Sequence, residues 1–375
     1  MQFSAIIGQD KIKNKLIESV QQKRIGHAQL FLGKNGYGTL ALALAYAAYI
    51  LCENPGDEDA CGVCNSCKKV KKLVHPDLHF SFPFVKTPKT TQSKHFFPTW
   101  RSALIENPYL SYFDWMEAIQ SSNKQGNIPA EECHAIIENL YLRSFEGGYK
   151  IQIIWKPEFL DKEGNILLKI IEEPAPNTLI LLVAEEQERI LGTILSRTQV
   201  LNIPPIAEDA LSAALIEKDG LSSEKARELA YLSDGDYHLA VEKSKSKGEN
   251  DFEFFAQWMR LAFKPGGSAL WKLTDEFSKM SKEKQKNTLQ YSLNLLQISI
   301  YAAHLPEKIA QHPQKPFLEK FAQATTSVFL EKGTAKISEG IYLLERNVHP
   351  KILFFDLTLQ LNHFFKNSKN SARHS

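Results

Sequence analysis

The sequence predicts an α/β fold with a parallel sheet, followed by all-helical parts. Runs rich in Ile, Leu and Val, such as residues 150–154 and 178–183, are typical of strands buried on both faces of a sheet. In the first half of the chain such runs alternate with helical patterns, which favours a parallel sheet covered by helices. In the second half, apolar residues recur with helical spacing. There the pattern predicts helices over 252–263, 283–303, 317–329, 336–346 and 351–365.

Composition and charge exclude few functions. The 375 residues include 45 basic and 43 acidic side chains, so the net charge of +2 does not call for a nucleic-acid or membrane partner. The first residues lack the basic segment and long apolar stretch of a secretory signal. The longest apolar run, residues 40–52, is too short to cross a bilayer. We therefore expect a cytoplasmic, reducing location and no membrane partner.

A glycine-rich loop follows the first predicted strand. Gly33, Gly36 and Gly38 have the spacing of a P-loop, whose backbone N–H groups cradle phosphate. In an active P-loop the next residues are a Lys that reaches the β- and γ-phosphates and a Ser or Thr that binds Mg²⁺. Thr39 and Leu40 stand there instead. We expect an NTPase-like frame that does not bind ATP, although backbone N–H groups alone can hold an anion.

A second nucleotide motif is altered in the same way. In P-loop ATPases the strand that corresponds to residues 150–154 ends in an acid that helps to hold Mg²⁺. Here the strand continues into Trp155 and Lys156, neither of which binds magnesium. Glu158 follows three residues after Trp155, where we expect it to help open the next helix.

Four of the five cysteines are clustered, and their spacing predicts a metal site. Cys52, Cys61, Cys64 and Cys67 form the pattern C-x8-C-x2-C-x2-C, and four thiolates complete a tetrahedral zinc site. With no position left open, the zinc would be structural. Zinc is favoured over an iron–sulfur cluster, whose fourth cysteine usually lies downstream, and over free thiols or disulfides. Cys133 stands alone and is expected to be an inert buried thiol.

Two segments could contact DNA, although a plainer interpretation is favoured for each. The lysines within 68–72, next to the cysteines, are equally the solvated face of a helix. Residues 80–125 are rich in aromatic residues and include Lys86, Lys89 and Lys94, a combination that can stack single-stranded DNA. More often such aromatic residues pack an insertion against its own domain.

Taken together, these motifs resemble the subunits of the bacterial clamp loader, the DNA polymerase III accessory complex, within the AAA+ family. Besides the P-loop and the cysteines, the matching segments are Ile7-Gly8-Gln9, His27-Ala28-Gln29, His75-Pro76-Asp77, Glu172-Glu173-Pro174 and Ser196-Arg197. The resemblance implies an AAA+ core over residues 1–205 with a zinc module at 52–67 and the aromatic insertion at 80–125. It further implies a helical lid over 206–248 and a helical collar, or oligomerisation domain, over 249–375.

The resemblance also implies a subunit that does not hydrolyse ATP. Family positions for the P-loop Lys and Ser/Thr hold Thr39 and Leu40, and the Mg²⁺-binding acid is replaced by Trp155. The lid arginine of the family's Gly-x-x-Arg motif falls on His238. Three altered positions in one chain favour loss of the reaction over a chance substitution.

One arginine of the family's chemistry is retained. The family's Ser-Arg-Cys motif corresponds to Ser196-Arg197-Thr198, and its arginine projects into the ATP site of a neighbouring subunit. An arginine supplied in trans stabilises the charge that develops on the transferred phosphoryl group. The alternative role for Arg197 is a surface salt bridge at a helix end.

The expected function is therefore that of a non-hydrolysing clamp-loader subunit which scaffolds the ring and supplies Arg197 to a neighbour. The implied partners are the gamma/tau motor subunits and the delta subunit in a hetero-pentamer, and the sliding clamp and primer-template DNA through that complex. Two alternatives stay open: an ATP-hydrolysing motor subunit with an atypical P-loop, and a zinc-dependent DNA-binding protein on a relic ATPase fold.

Overall fold

The computed structural model describes residues 1–121, 124–245, 249–264, 266–304, 314–346 and 348–371. These residues form two compact units, Met1–Lys243 and Ser244–Ser375. The predicted lid boundary at residue 248, and residues 122–123 of the predicted insertion, lie outside the described residues.

The first unit is built on a parallel five-stranded sheet, as the sequence predicts. The strand order is β2-β3-β4-β1-β5, and every neighbouring pair is parallel. The strands are β1 (Ala28–Leu32), β2 (Leu78–Ser81), β3 (Lys150–Trp155), β4 (Thr178–Ala184) and β5 (Gln199–Asn202). β1 lies between β4 and β5, with Leu30 opposite Leu182 on one side and Val200 on the other. This register aligns the loop after β1 with the carboxyl ends of its neighbours.

Helices cover both faces of the sheet. Those of the first unit are α1 (Asp10–Gln21), α2 (Thr39–Ile50), α3 (Asn65–Lys71), α4 (Phe97–Glu106), α5 (Tyr112–Ala118), α6 (Ala130–Tyr141), α7 (Leu168–Glu172), α8 (Gly192–Leu195), α9 (Glu208–Asp219), α10 (Ser223–Leu232) and α11 (Tyr237–Lys245). Alternate strand residues enter different apolar clusters, Ile153 and Leu181 on one face and Ile154 and Leu182 on the other. Because side chains on both faces of the sheet are buried, most residues of β3 and β4 are apolar, and their sequences are nearly continuous apolar runs.

The aromatic insertion supplies part of the core of the first unit. Phe82 stacks on Trp100 with ring centroids 4.2 Å apart, and Trp115 meets Phe82 edge-on at 4.9 Å. Trp100 also contacts Trp155, at the end of β3, at 4.9 Å. Lys86 is paired with a glutamate of α6. The structure thus favours packing over DNA stacking as the role of these aromatic residues.

The second unit is helical. Its helices are α12 (Glu249–Phe263), α13 (Gly267–Lys279), α14 (Lys282–His304), α15 (Lys315–Ala324), α16 (Ser327–Glu345) and α17 (Pro350–Ser371). Trp258, Phe277 and Phe354 meet in its core, with ring centroids of 4.7 Å and 4.4 Å from Phe354. The predicted single helix over 317–329 is wrong, because the hydroxyl of Thr326 caps a new helix there by accepting from the Phe329 N–H.

Candidate functional site

The four clustered cysteines converge as a metal site requires. Cys52 follows the end of α2, and Cys61 lies in the next loop. Cys64 is the N-cap residue of α3, and Cys67 lies in the first turn of that helix. The four sulfur atoms all lie within 4.8 Å of one another, and the Sγ atoms of Cys61 and Cys67 are 3.9 Å apart. Four Zn–S bonds of about 2.3 Å in a tetrahedron place the sulfurs about 3.8 Å apart. The cluster can therefore hold a metal ion.

Backbone N–H groups around the cluster favour thiolates. The N–H groups of Cys61, Cys64 and Cys67 point at the sulfurs of Cys52, Cys61 and Cys64 at 3.3–3.4 Å. Hydrogen bonds from the backbone N–H groups of Val63 and Cys64 lower the pKa of Cys61 to about 6, whereas burial raises the pKa of Cys52 and Cys67. Four thiolates this close repel one another, so the cluster needs a cation to keep all four deprotonated.

The loop between Cys52 and Cys61 holds the N-terminus of the chain. The carboxylate of Asp59 accepts from the N–H groups of Phe3 and Ser4, each at 2.9 Å. The Gln2 side chain donates to the Ala60 carbonyl at 2.7 Å. A metal in the cluster would therefore stabilise the N-terminal residues as well as the loop itself.

The segment His75-Pro76-Asp77 ties the module to the strand that follows. Asp77 is buried and accepts from the N–H groups of Phe145 and Glu146 at 2.6 Å and 2.9 Å. His75 lies 3.0 Å from the Glu146 carboxylate, although burial lowers the pKa of this histidine and favours its neutral form. The motif therefore has a structural role, which the sequence alone did not reveal.

The P-loop has little room for a nucleotide. Its cavity measures about 20 Å³, space for about one water molecule, whereas ligand sites usually enclose several hundred cubic ångströms. Tyr109 from the insertion lines this cavity, and its hydroxyl accepts from the Ile7 N–H at 3.0 Å. A Cβ on Gly38 would lie only 3.1 Å from the Tyr109 ring, so the ring packs directly against the loop.

The position of the Mg²⁺-binding acid is filled by apolar and paired side chains. Trp155 is buried and lines the cavity. Lys156 adopts a left-handed backbone conformation, with φ of 59°, and forms an ion pair with Glu185. Glu158 was predicted to help open the next helix, and it lies in a short 3-10 helix, Pro157–Phe159, but its side chain bonds elsewhere. Its buried carboxylate accepts from the N–H groups of Glu185 and Glu186 and so fixes the loop after β4.

The first residues of α11 close over the P-loop. The Tyr237 N–H donates to the Gly36 carbonyl at 3.2 Å, and a Cβ on Gly36 would clash with the Asp236 carboxylate at 1.7 Å. Dense surroundings raise the pKa of Asp236 to about 6. His238, at the position of the family's lid arginine, contacts the Asp114 carboxylate at 2.6 Å. Burial acts to raise the pKa of Asp114, yet hydrogen bonds from His238 and Ser111 hold it below its usual value.

Arg197 lies on the surface near the amino ends of the strands, at the opposite end of the sheet from the P-loop. It follows α8 and precedes the amino end of β5, whereas the P-loop follows the carboxyl end of β1. Its guanidinium forms an ion pair with Glu172 and donates to the Thr193 carbonyl at 3.0 Å. The side chain keeps 36% of its exposure, so a second chain can reach it.

The structure adds residues that sequence reasoning missed. Tyr109, Asp114 and Asp236 reach the P-loop or the lid from distant segments, and no motif marked them. Lys156 after β3 was visible in the sequence, but its pairing with Glu185 was not.

Within the described residues no helix is both long and apolar enough to cross a membrane.

Comparisons with known proteins identify the family of this chain. The model of the family described as "DNA polymerase III, delta subunit" matches residues 8–207. The chain is 28% identical over 363 residues to DNA polymerase III subunit delta' of Bacillus subtilis, covering 94% of this chain and 96% of that protein. The chain belongs to the delta-prime family of DNA polymerase III subunits.

A second relative matches a shorter part of the chain. The Escherichia coli delta' subunit is 25% identical over 217 residues, which cover 54% of each chain. The similarity to that protein thus covers about half of its length. A solved structure of a gamma subunit-related protein from Thermotoga maritima aligns over 93% of this chain and 99% of its own, with 14% identity and a TM-score of 0.40.

Proposed function

We propose that this chain is a non-hydrolysing subunit of the DNA polymerase III clamp loader that supplies Arg197 to the ATP site of a neighbouring subunit. The observation that carries the proposal is the contrast between the two ends of the parallel strands. At the carboxyl end Tyr109, Trp155 and the start of α11 fill the chain's own P-loop. At the amino end Arg197 is exposed beside two acceptors.

The distance between the two ends of the strands supports action in trans. Ile203, which follows β5, contacts Gly33 of the P-loop, whereas Arg197 precedes β5. A four-residue strand spans roughly 13 Å, which is longer than an arginine side chain. Arg197 therefore does not reach the chain's own P-loop, and any phosphate that it contacts belongs to another subunit.

The proposed partners are the gamma/tau motor subunits and the delta subunit of a hetero-pentamer, which brings the chain to the sliding clamp and to primer-template DNA. A stripe of exposed apolar residues in the second unit suits such an assembly. Ile352, Phe355 and Leu359 on α17 are 68%, 38% and 44% exposed, at helical spacing. Trp271 on α13 is 58% exposed, beneath the ammonium group of Lys351. Side chains of this kind are typical of interfaces.

We further propose that the ion held by the four cysteines is zinc and that it is structural. Four sulfur atoms within 4.8 Å of one another suit Zn²⁺, and four sulfur ligands would leave no coordination position for a substrate. The hydrogen bonds of the module run to Phe3, Ser4 and the end of α2, not to the P-loop. Its expected role is therefore to hold the first unit together.

Restoring the P-loop lysine should not restore nucleotide binding. In Thr39→Lys the new ammonium still faces a cavity filled by Tyr109 and Trp155, and Glu185, the acid that lines it, is already paired with Lys156. We expect isothermal titration calorimetry of the wild type and of this variant to detect no binding of MgATP at micromolar concentration. A motor subunit measured beside them is the positive control. Micromolar binding with hydrolysis by the wild-type chain alone would instead identify it as a motor subunit.

A charge placed in the exposed stripe of α17 should weaken assembly. Leu359→Asp would desolvate a carboxylate in the proposed interface, which should lower the yield of reconstituted complex by about tenfold or more in size-exclusion chromatography. The matched control is Val328→Asp, because Val328 is 48% exposed but lies at the start of α16, outside the stripe. Equal loss of assembly in both variants, or in neither, would contradict an interface at the stripe.

A further inference from the structure

A cavity of about 390 Å³ lies at the open edge of the sheet, apart from the P-loop and the cysteines. β2 is the outermost strand on this side, and all four of its residues line the cavity. The other walls are the segment 92–97, the end of α3 and one side of α6. Its volume lies within the usual range of ligand pockets. Neither the proposed role of Arg197 nor the metal module uses it.

The edge strand offers backbone hydrogen-bonding groups to an added segment. The Ile151 N–H of β3 donates to the Asp77 carbonyl at 2.8 Å, so the polar groups of Asp77 face β3. Because successive residues of a strand face opposite ways, the carbonyls of Leu78 and Phe80 point away from β3 toward the cavity side. Of the groups that point this way, the Leu78 N–H already donates to the His75 carbonyl at 3.2 Å, and the Phe80 carbonyl accepts a hydrogen bond from the Ser93 hydroxyl at 3.4 Å.

The exposed charge at this cavity is positive. Glu132 is its one acidic lining residue among those described, and its buried carboxylate accepts two hydrogen bonds from Ser93 and one from Ser81, at 2.5–2.8 Å. Those donors satisfy the carboxylate internally. Lys94 also lines the cavity; it is exposed and forms no ion pair within the described part of the chain. Lys72, next to the lining residue Leu73, is likewise exposed.

Apolar groups complete the site. Phe80 and Phe97 line the cavity and pack against each other, with ring centroids 6.0 Å apart, so their rings form one aromatic wall. Val74 lines it as well and is 45% exposed. Phe145 is 82% exposed and is fixed by its backbone N–H on the same Asp77 that precedes β2. Exposed apolar side chains beside a cavity are typical of protein-binding surfaces.

We propose that this cavity binds an extended acidic segment of another protein that carries an aromatic anchor. The anchor side chain occupies the cavity against the rings of Phe80 and Phe97, and the flanking carboxylates contact Lys94 and Lys72. The backbone of the segment pairs with the outward-facing Leu78 carbonyl and Phe80 N–H of β2, as in other cases of strand addition. This partner site is independent of Arg197 and of the clamp-loader role.

The test measures binding of a defined peptide to the full-length chain. The probe is a fluorescein-labelled peptide of eight Asp and Glu residues around a central Phe-Leu pair, titrated in fluorescence anisotropy at low and moderate salt. We expect micromolar binding that weakens with salt. Two comparison peptides replace either Phe-Leu by Ala-Ala or every acid by Lys, and we expect neither to bind.

Variants of the chain then locate the site. Ala135→Leu adds bulk to the α6 wall and should abolish binding, while Lys94→Glu should weaken it by about fivefold or more. Lys89→Glu makes the same charge change in the same insertion, outside the cavity lining, and should leave binding intact. Circular dichroism confirms that each variant is folded. Absence of peptide binding, equal binding of the Lys peptide, or equal binding by all variants would overturn the proposal. Binding of a single-stranded oligonucleotide instead, with the same dependence on variants, would also overturn it.

Discussion

Replacing Arg197 by alanine should leave the reconstituted clamp loader assembled but nearly eliminate hydrolysis at the ATP site that this chain contacts. Arginine fingers contribute on the order of 10³-fold or more to phosphoryl transfer, because the guanidinium stabilises charge that builds up in the transition state. The ion pair that Arg197 forms with Glu172 is exposed, so its loss should cost this chain less than about 1 kcal/mol of stability. Steady-state ATPase activity and clamp loading on primer-template DNA are the measurements.

Arg189 provides a matched control for this experiment. It is also a surface arginine of the first unit, with 42% side-chain exposure and an ion pair to Glu186. Arg189→Ala should therefore retain ATPase activity. Arg197→Lys should remain defective, because an ammonium lacks the planar fork of a guanidinium. Undiminished ATPase activity in an assembled Arg197→Ala complex would refute the finger role, and failure to assemble would make Arg197 a structural residue.

Removing the metal ligand Cys61 should abolish zinc binding and strongly destabilise the first unit. Structural zinc sites contribute several kcal/mol or more to folding, so we expect Cys61→Ser to lower the unfolding temperature by ~10 °C or more. Cys61 is only partly buried, and little of this loss can come from its own packing. Metal content by mass spectrometry and thermal unfolding by circular dichroism are the measurements.

Cys133 supplies the control for the zinc experiment. It is fully buried on α6, away from the cluster, and burial raises its pKa to about 12, which keeps it a thiol. Cys133→Ala should therefore retain one equivalent of zinc and lose only the packing of one small side chain. Wild-type protein that contains iron, or a Cys61→Ser variant as stable as the wild type, would contradict a structural zinc.

Local patterns were sufficient where a residue's role depends on its neighbours in the sequence. The β-branched run of β3, the glycine spacing of the P-loop and the C-x2-C pairs each predicted their own local structure correctly. Even Thr39 and Leu40 could be recognised as substitutions, because the residues that an active P-loop requires follow its glycines directly. These inferences need only strand periodicity, turn geometry and ligand spacing.

Local patterns failed where a role depends on a partner far along the chain. Glu158 was expected to open a helix, but its carboxylate binds the backbone after β4. The insertion could not be assigned from its aromatic content, since stacking DNA and filling a core require the same side chains. The break between α15 and α16 was also missed, because a Thr-capped restart interrupts the apolar spacing only briefly.

By itself the sequence determined the parallel α/β fold, the cluster of four cysteines that can hold a metal ion, and the replacement of the P-loop Lys and Ser/Thr by Thr39 and Leu40. The tertiary structure alone decided that the P-loop is filled, because Tyr109 and Asp236 reach it from other segments. It also placed Arg197 at the opposite end of the strands from that loop. Because β1 and β5 are parallel, the amino end of β5 lies far from the carboxyl end of β1. Ligand spacing is a short-range property of the chain, whereas the contents of a cavity depend on contacts between distant residues.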